Sequence, residues 1–393
     1  MKKLIEKILK KTRSGAVNGN QNQTTESGET RVDVAGQWKL MWWRFRKHKL
    51  ALASGVLVIL IYLIVAFTEF LAPYATTSYN PECINMPPQR LHFFRTGEDG
   101  KTVFGPFVYA NTMTINPASL RREFVQDRSK VVPVRFFGKG EPYKMWGLFN
   151  VERHLITPVD YKQPMYLFGG DSMGRDLMSR VIHGTRISMS IGLIGVIISL
   201  FLGILLGGIS GYYGGPIDNL IQRLTEFLRS IPTIPLWMGL AAAIPLTWPP
   251  LRVYFTITLI LSLIQWTGLA RVVRGKFFAL KMEDFVTAAR LDGCSEFRII
   301  MHHMVPSFIS HIIASVTLSI PGMILSETSL SFLGIGLRPP VVSWGVLLQE
   351  AQNIRSIAAC PWLLFFPGVS VVIAVLALNF LGDGLRDAAD PYN

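Results

Sequence analysis

Residues 187–212 read ISMSIGLIGVIISLFLGILLGGISGY, a run of 26 residues without a charged side chain. About 20 apolar residues in an α-helix are enough to cross the hydrocarbon core of a bilayer. The whole chain has a similar character, since half of its 393 residues are hydrophobic and only 17% are Asp, Glu, Lys or Arg. Soluble domains carry about 25% of these charged residues. The composition therefore indicates a membrane protein and excludes disorder over most of the chain.

Five further apolar runs resemble residues 187–212. The six predicted membrane spans are Leu50–Leu71, Ile187–Tyr212, Ile231–Leu246, Leu251–Ala270, Phe308–Leu330 and Pro361–Leu381. The first span lies too far along the chain, and is too long, for a cleaved signal peptide. The predicted fold class is an all-α polytopic membrane protein with six transmembrane helices.

The distribution of basic residues predicts the orientation. The first 49 residues carry twelve Lys and Arg and four Asp and Glu, and basic residues beside short segments stay in the cytoplasm. Six crossings then return the C-terminus to the cytoplasm, together with residues 271–307. Residues 72–186 fall outside despite fifteen Lys and Arg, because long loops translocate largely regardless of charge. Topology thus explains the net charge of +13, and no basic patch with base-stacking aromatics indicates nucleic acid.

The segments between the spans suggest a division into parts. Residues 1–49 form a cytoplasmic tail whose start, MKKLIEKILKK, predicts a basic amphipathic helix that is either solvated or bound to anionic lipid headgroups. Residues 72–186 contain β-like runs at Val131–Phe137 and Met165–Phe168, which predict a small strand-containing extracytoplasmic insert between spans one and two. Residues 187–382 hold the other five spans, and residues 383–393 form a cytoplasmic C-terminal tail.

The segment 282–307, MEDFVTAARLDGCSEFRIIMHHMVPS, predicts two short helices rather than a plain connector. Gly293 is placed to end the first helix. Ser295 and Glu296 can open the second, which is predicted to run to the helix breaker Pro306. Small side chains at Ala288 and Ala289 would let another surface come close, so this loop is a candidate docking element.

This segment resembles the EAA loop of the permease subunits of ATP-binding-cassette importers. The family pattern is Glu-Ala-Ala, three residues, Gly, nine residues, and Ile-x-Leu-Pro. Four residues fall at the matching positions: Ala288, Ala289, Gly293 and Pro306. Three positions differ, with Thr287, His303 and Val305 in place of the usual Glu, Ile and Leu.

Further blocks resemble the second permease of dipeptide and oligopeptide importers, the OppC or DppC class. They are GDSMGRD at 170–176, LSFLGIG at 330–336 and NFLGDGLRDAADP at 379–391. The similarity covers about residues 37–72 and 165–393. Gly170 replaces the usual Thr, and most of the insert, about residues 80–164, has no counterpart in compact members of the class.

The resemblance implies the type I ABC importer permease fold in a bacterial inner membrane. It also implies a second homologous permease subunit, two cytoplasmic ATPase subunits and an extracytoplasmic solute-binding protein as partners, within membrane lipid. In such a complex Ala288 and Ala289 would pack closely against the ATPase subunit, Gly293 would form the turn and Pro306 would stop the second helix before span five.

The chain is expected to be a transport subunit and not an enzyme. It has no G-x-x-x-x-G-K-[ST] phosphate loop, so ATP and Mg would be used by the partner ATPase and this chain would bind no cofactor. No paired metal-ligand spacing occurs, and the adjacent His302 and His303 would point to different helix faces. A metal site is therefore not expected.

Several other residues have two open interpretations. Gly203, Gly207 and Gly211 repeat every four residues and predict close helix packing, either within the subunit or at the permease seam. Glu327 is an intramembrane acid, which indicates either gating or a structural hydrogen bond to nearby Ser or Thr. Cys83 and Cys360 share a compartment, so a disulfide between them is permitted. Asp171, Arg175 and Asp176 are expected to cap and pair an external helix.

Short peptides are the leading solute class by resemblance. Oligosaccharides, nickel complexes and opine-like solutes remain alternatives, and the role of the insert is open. A secondary transporter would show inverted repeats and intramembrane charges on broken helices, which this sequence lacks. A membrane-bound enzyme would show a cluster of His, Cys or carboxylate residues, and none is apparent.

Overall fold

The computed structural model describes residues 37–96, 102–115, 117, 122–161, 163–352 and 358–389. The predicted amphipathic start and polar tail, within residues 1–36, lie outside the described residues. The described helices are α1 Gln37–Lys47, α2 Lys49–Ala66, α3 Thr68–Leu71, α4 Leu177–Tyr213, α5 Gly215–Ser230, α6 Thr233–Ala242, α7 Pro250–Leu280, α8 Asp284–Leu291, α9 Glu296–Arg298, α10 Val305–Ser307, α11 Ile309–Phe332, α12 Trp344–Glu350 and α13 Trp362–Ala389. The strands are β1 His92–Thr96, β2 Thr102–Ile115, β3 Arg122–Phe136, β4 Lys139–Met145, β5 Phe149–Arg153 and β6 Ile156–Pro158.

Five described helices are long and apolar enough to cross a membrane: α2, α4, α7, α11 and α13. They correspond to five of the six predicted spans, and the mostly helical fold class with a strand insert is confirmed. The third predicted span, Ile231–Leu246, differs from the prediction. Its apolar helix α6 has ten residues, about 15 Å of rise, which is half of the bilayer's hydrocarbon thickness.

The return crossing between α4 and α7 is shared by two helices. Helices α4 and α7 run parallel: the Tyr254 hydroxyl lies 2.9 Å from Ser190 Oγ in the first half of each helix, and Phe277 packs on Gly211 near their ends. The chain between them must therefore return along the length that the two helices share. The amphipathic α5 and the apolar α6 make this return, separated by the extended residues Ile231 and Pro232. The break follows from Pro232, which cannot donate a helical hydrogen bond and pushes the preceding residue to an extended conformation.

The other long helices alternate in direction around this pair. Helix α11 is antiparallel to α4, since Gly192 packs against Ile324 and Ser188 contacts Glu327. Helix α2 is antiparallel to α13, where Gly384 packs against Ala51. The bundle consequently has two ends. The loop end carries residues 282–307, and the lobe end carries the strands.

The strands form a small lobe over the start of α4. Four antiparallel strands pair in the order β1-β2-β3-β6, and β4 and β5 form a separate hairpin. Val108, Val132 and Ile156 of the sheet share a buried cluster with Met178 of α4. This contact joins the lobe to the bundle and seats it on the lobe end of α4.

The strand predictions are correct in one place and wrong in another. The predicted run Val131–Phe137 lies almost entirely within β3. The run Met165–Phe168 is not a strand, because its Tyr166 N–H donates to the side-chain oxygen of Gln89 at 2.6 Å instead of to a neighbouring strand. Helix α4 also begins ten residues earlier than predicted, because the Asp176 carboxylate caps it by accepting from Ser179 N at 2.8 Å.

Candidate functional site

The first half of the loop at 282–307 is a short helix closed by a glycine. Helix α8 spans Asp284–Leu291, and Gly293 follows it with φ of +73°. Glycine adopts this left-handed conformation without the steric penalty of a Cβ. The Cys294 N–H donates to Ala289 O at 3.1 Å across the turn. The turn between the helices is therefore where the spacing predicts it.

The second half of the loop differs from the single predicted helix. It consists of α9, a π-helical stretch at Ile299–Met304 and α10. Pro306 lies inside the first turn of α10 and is exposed, and the chain continues into α11 from Ile309. Pro306 has no N–H to donate, so regular α-helical bonding is interrupted here. His302 and His303 occupy the wide π turn and are both exposed.

The loop has a buried inner side and an exposed outer side. Val286, Ala289, Ile299 and Met304 are buried in one cluster with side chains of α4 and α7, among them Phe277. The outer side leaves apolar side chains exposed, among them Phe285, Ala288, Leu291 and Phe297. Leu291 and Phe297 are 84% and 71% exposed. The two adjacent alanines are thus split, with Ala289 packed inward and Ala288 on the outer side.

Two tyrosines at the end of α4 connect the loop to the bundle. The Tyr213 hydroxyl donates to the Glu296 carboxylate at the start of α9. The guanidinium of Arg290 lies 5.2 Å from the centre of the Tyr212 ring, a distance suited to a cation–π contact. Sequence reasoning missed both contacts, since neither tyrosine belongs to a recognisable motif.

The glycines of α4 pack against α7 within the chain. A Cβ added at Gly203 would lie 2.9 Å from Leu269 side-chain atoms, and one at Gly207 would lie 2.5 Å from Ala270 O. At Gly211 the nearest atom is Phe277 Cβ, at 2.6 Å. These positions allow the two backbones to approach closely, as small residues do in membrane helices.

A salt bridge next to this seam joins α5 to α7. Arg274 donates from Nε to Asp218 Oδ1 and from Nη2 to Asp218 Oδ2, both at 2.6 Å. The Ser210 hydroxyl of α4 also donates to Asp218. One carboxylate therefore connects three helices at the loop end, an arrangement the sequence analysis did not find.

Glu327 lies in a cage of serines nearer the lobe end. It is fully buried, and its carboxyl group accepts from Ser331 Oγ and Ser343 Oγ at 2.8 Å and from Ser188 Oγ at 3.2 Å. Ser188 Oγ in turn accepts from Trp344 N at 3.1 Å. The acid thus joins α11, α4 and the start of α12.

A buried ionic network stands at the lobe end, at the start of α4. Arg180 is 1% exposed and donates from Nη1 to Asp171 Oδ2 at 2.5 Å. Both of its Nη atoms donate to Glu350 at 2.7 Å, and Arg175 Nε donates to Asp171 at 2.6 Å. The network ties α12 to α4. Asp176 caps α4 beside it, and burial raises the pKa of the Asp176 carboxyl to about 7.

The two cysteines predicted to share a compartment, Cys83 and Cys360, are not paired. Cys83 and Cys360 are both free and buried, so the disulfide left open by the sequence is not formed. Burial raises the pKa of the Cys83 thiol to about 12, which keeps it protonated. Within the described ranges, no group of three or more His, Cys, Asp or Glu side chains could hold a metal ion.

A bundle of apolar helices, closed at one end by a helical loop with an exposed apolar side, defines a polytopic membrane protein. Residues 200–392 match the family described as binding-protein-dependent transport system inner membrane component. Residues 36–88 match the N-terminal TM domain of oligopeptide transport permease C. The strand lobe lies between the two matched ranges.

Curated relatives are 34–39% identical to the chain over the aligned residues. The oligopeptide transport system permease protein OppC of Haemophilus influenzae is 39% identical over 242 residues, 62% of this chain and 75% of the relative. The dipeptide permease DppC of Bacillus subtilis is 37% identical, covering 57% and 68% of the two chains. The glutathione permease GsiD of Pectobacterium atrosepticum is 34% identical, covering 64% and 79%.

The chain therefore belongs to the family of inner-membrane permease components of binding-protein-dependent transport systems, and the predicted resemblance to the OppC and DppC class is confirmed. It is a multi-pass inner-membrane protein, and its family implies an ATPase partner and a binding protein. Among solved structures, the inward-facing MetNI methionine ABC transporter aligns with a TM-score of 0.43 and 18% identity, over 56% of this chain and 100% of that one.

Proposed function

We propose that this chain forms half of the translocation path of an importer for short peptides and docks on a cytoplasmic ATPase subunit through the loop at 282–307. A second, homologous permease supplies the other half. The loop end then faces the cytoplasm together with both termini. The observation that carries the proposal is the two-sided loop: Ala289 and Met304 are buried against the bundle, while Phe285, Ala288 and Leu291 expose an apolar surface.

The contacts of the loop give a route for its motion. Closure of the ATPase pair on ATP and Mg would displace the loop, whose inner side is packed on α4 and α7. The Tyr213–Glu296 hydrogen bond and the glycine seam would make these two helices follow it. Asp218, bonded to Arg274, would bring α5 along. Such a rigid-body movement about an interface is a known way to switch between two states.

The buried polar groups serve packing in this proposal. Gly203, Gly207 and Gly211 keep α4 and α7 together as one moving unit. Glu327 holds the start of α12 against α4 and α11 through its serine contacts, so it positions α12 rather than binding solute.

The names of the relatives support peptides as the solute class. They transport oligopeptides, dipeptides and glutathione by name, and glutathione is itself a tripeptide. Oligosaccharides, nickel complexes and opine-like solutes receive no support from these three names.

Reconstitution tests the function directly. Proteoliposomes would contain this chain, its second permease and the ATPase subunits, with the binding protein added outside and a labelled di- or oligopeptide as substrate. We expect uptake that requires ATP and the binding protein. Uptake by this chain without an ATPase would contradict the proposal, and uptake of a sugar but of no peptide would refute the solute class.

The turn at Gly293 offers a matched pair of variants for the coupling step. No heavy atom lies within 4 Å of a Cβ added there, but φ is +73°. Gly293→Val should therefore suffer only from its backbone conformation, at a cost of about 1–2 kcal/mol or more. Gly293→Asn tolerates this conformation. We expect the Val variant to insert in the membrane but lose ATPase binding or uptake, and the Asn variant to retain both. Full transport by the Val variant would remove the turn from the mechanism.

A further inference from the structure

Three apolar side chains project from the turn of the β4–β5 hairpin. We call residues 146–149, Trp146-Gly147-Leu148-Phe149, the hairpin tip. Trp146 is 54% exposed, Leu148 is 75% exposed and Phe149 is 59% exposed. Consecutive exposed apolar residues of this size are unusual on a surface that meets only water.

The turn itself does not explain the tryptophan. Trp146 has φ of +53° and Gly147 has φ of +74°, and the Leu148 N–H donates to Met145 O at 3.0 Å. Turns with this geometry favour Asn or Gly at both left-handed positions. A tryptophan in the first of them is held in a conformation that L-residues avoid. The hairpin therefore keeps a tryptophan where Asn or Gly would be less strained.

Trp146 places the hairpin tip level with the end of a membrane span. Its indole Nε1 donates to Ala66 O at 2.7 Å, and Ala66 is the last residue of α2. Its ring centre lies 6.1 Å from that of Phe67. A second hydrogen bond, donated by the Leu155 N–H to Phe70 O at 2.8 Å, holds the same part of the lobe against α3.

The apolar surface of α2 continues directly into the hairpin tip. Ile59 and Leu63 of α2 are 62% and 47% exposed, and Phe67 is 38% exposed. In a helix with a hydropathy of 2.5, such outward apolar side chains face lipid. Phe67 and Trp146 extend this surface past the last turn of the helix.

We infer that the hairpin tip is embedded in the membrane at the boundary between headgroups and acyl chains, and that it anchors the strand lobe to phospholipid beside α2. The amphipathic indole of Trp146 suits this boundary, where Trp is enriched. Leu148 and Phe149 would enter the acyl region, and the adjacent exposed Lys144 can reach lipid phosphates. The inference requires only that α2 spans the membrane, so it does not depend on the solute or on the ATPase partner.

Depth-dependent fluorescence quenching tests the anchor. In the complex reconstituted in proteoliposomes, an environment-sensitive fluorophore would be attached to Leu148→Cys in a Cys294→Ser background, since Cys83 and Cys360 are buried. The matched control is Phe104→Cys. Phe104 is 70% exposed and lies on β2, which, among the described strands, pairs only with β1 and β3. The quenchers would be lipids with a nitroxide near the top of the acyl chain, and aqueous iodide.

We expect the label at 148 to be quenched several-fold more by the lipid nitroxide, and several-fold less by iodide, than the label at 104. Trp146→Asn, which suits the left-handed turn, should reduce the lipid quenching at 148 while the complex stays assembled. Equal quenching at 148 and 104 by both reagents would overturn the inference. Shielding of 148 from iodide without quenching by lipid would also overturn it, because a protein would then cover the hairpin tip.

Discussion

Replacing Arg274 with Met and Asp218 with Asn, singly and together, measures how strongly α5 is held to α7. The pair makes two charge-assisted hydrogen bonds of 2.6 Å, and its side chains are 29% and 11% exposed. Hydrogen bonds to charged groups contribute about 1.5–3 kcal/mol, whereas breaking a fully buried ion pair costs about 3–5 kcal/mol. Because this pair is only partly buried, we expect a coupling energy of about 2 kcal/mol.

The assay is a double-mutant cycle on the unfolding free energy in mixed micelles, titrated with a denaturing detergent. Additivity fails when two residues interact directly, and the deviation is the coupling energy. The control cycle uses Arg223 and Glu226 on the same helix, which form a 3.2 Å contact with side chains that are 83% and 61% exposed. That pair should give about 0.5 kcal/mol or less. A coupling energy for Arg274 and Asp218 no larger than that of the control would refute the reasoning.

Three further predictions concern other parts of the bundle. Arg180→Met leaves the buried carboxylate of Asp171 with less compensation and should destabilise the protein by about 3–5 kcal/mol, seen as a lower melting temperature in detergent; a change within error would contradict the network's role. The pKa of Asp176 is raised to about 7 in the folded protein. Between about pH 4 and about pH 7 the folded protein therefore keeps a proton on this carboxyl group that the unfolded chain has lost. The stabilisation from this group is complete below about pH 4 and is lost as pH rises through about 7. Asp176→Asn should therefore gain melting temperature relative to the parent between about pH 5 and about pH 8, and a constant difference would exclude this titration. Gly207→Ala should separate α4 from α7 and destabilise by about 1–3 kcal/mol, whereas Gly268→Ala, with open space around it, should be neutral or stabilising in the same melting assay.

Much of the helical fold was predictable because a bilayer imposes a strong requirement on the sequence. Each spanning segment must form its backbone hydrogen bonds internally and present apolar side chains to lipid. Five segments therefore stand out in the sequence as long apolar runs. The crossing by α5 and α6 failed as a prediction because α5 carries Asp218, Arg223 and Arg229 and therefore does not form an apolar run. A hydropathy argument finds only the apolar part of such a crossing.

The position of the turn in the loop at 282–307 could be predicted from the sequence, but which of the loop's residues face the bundle could not. The backbone requirement for Gly293 is local and can be read from its spacing. Which of Ala288 and Ala289 faces the bundle depends on how α8 lies against α7, and this contact is absent from the local sequence. Arg180 and Glu350 are likewise 170 residues apart, so no periodicity links them. The available signal was that a charged residue near a span needs a partner.

Helix α4 explains how the two ends of the molecule can act together. It has 37 residues, about 55 Å of rise, and contains no proline. Helices α11 and α13, by contrast, carry Pro321 and Pro367 in their interiors, where the helix can bend. At one end of α4, Tyr213 is bonded to the loop, and at the other Arg180 is bonded to Glu350 of α12. A displacement of the loop would therefore reach α12 and the strand lobe along one stiff element, without requiring a chain of small side-chain movements between them.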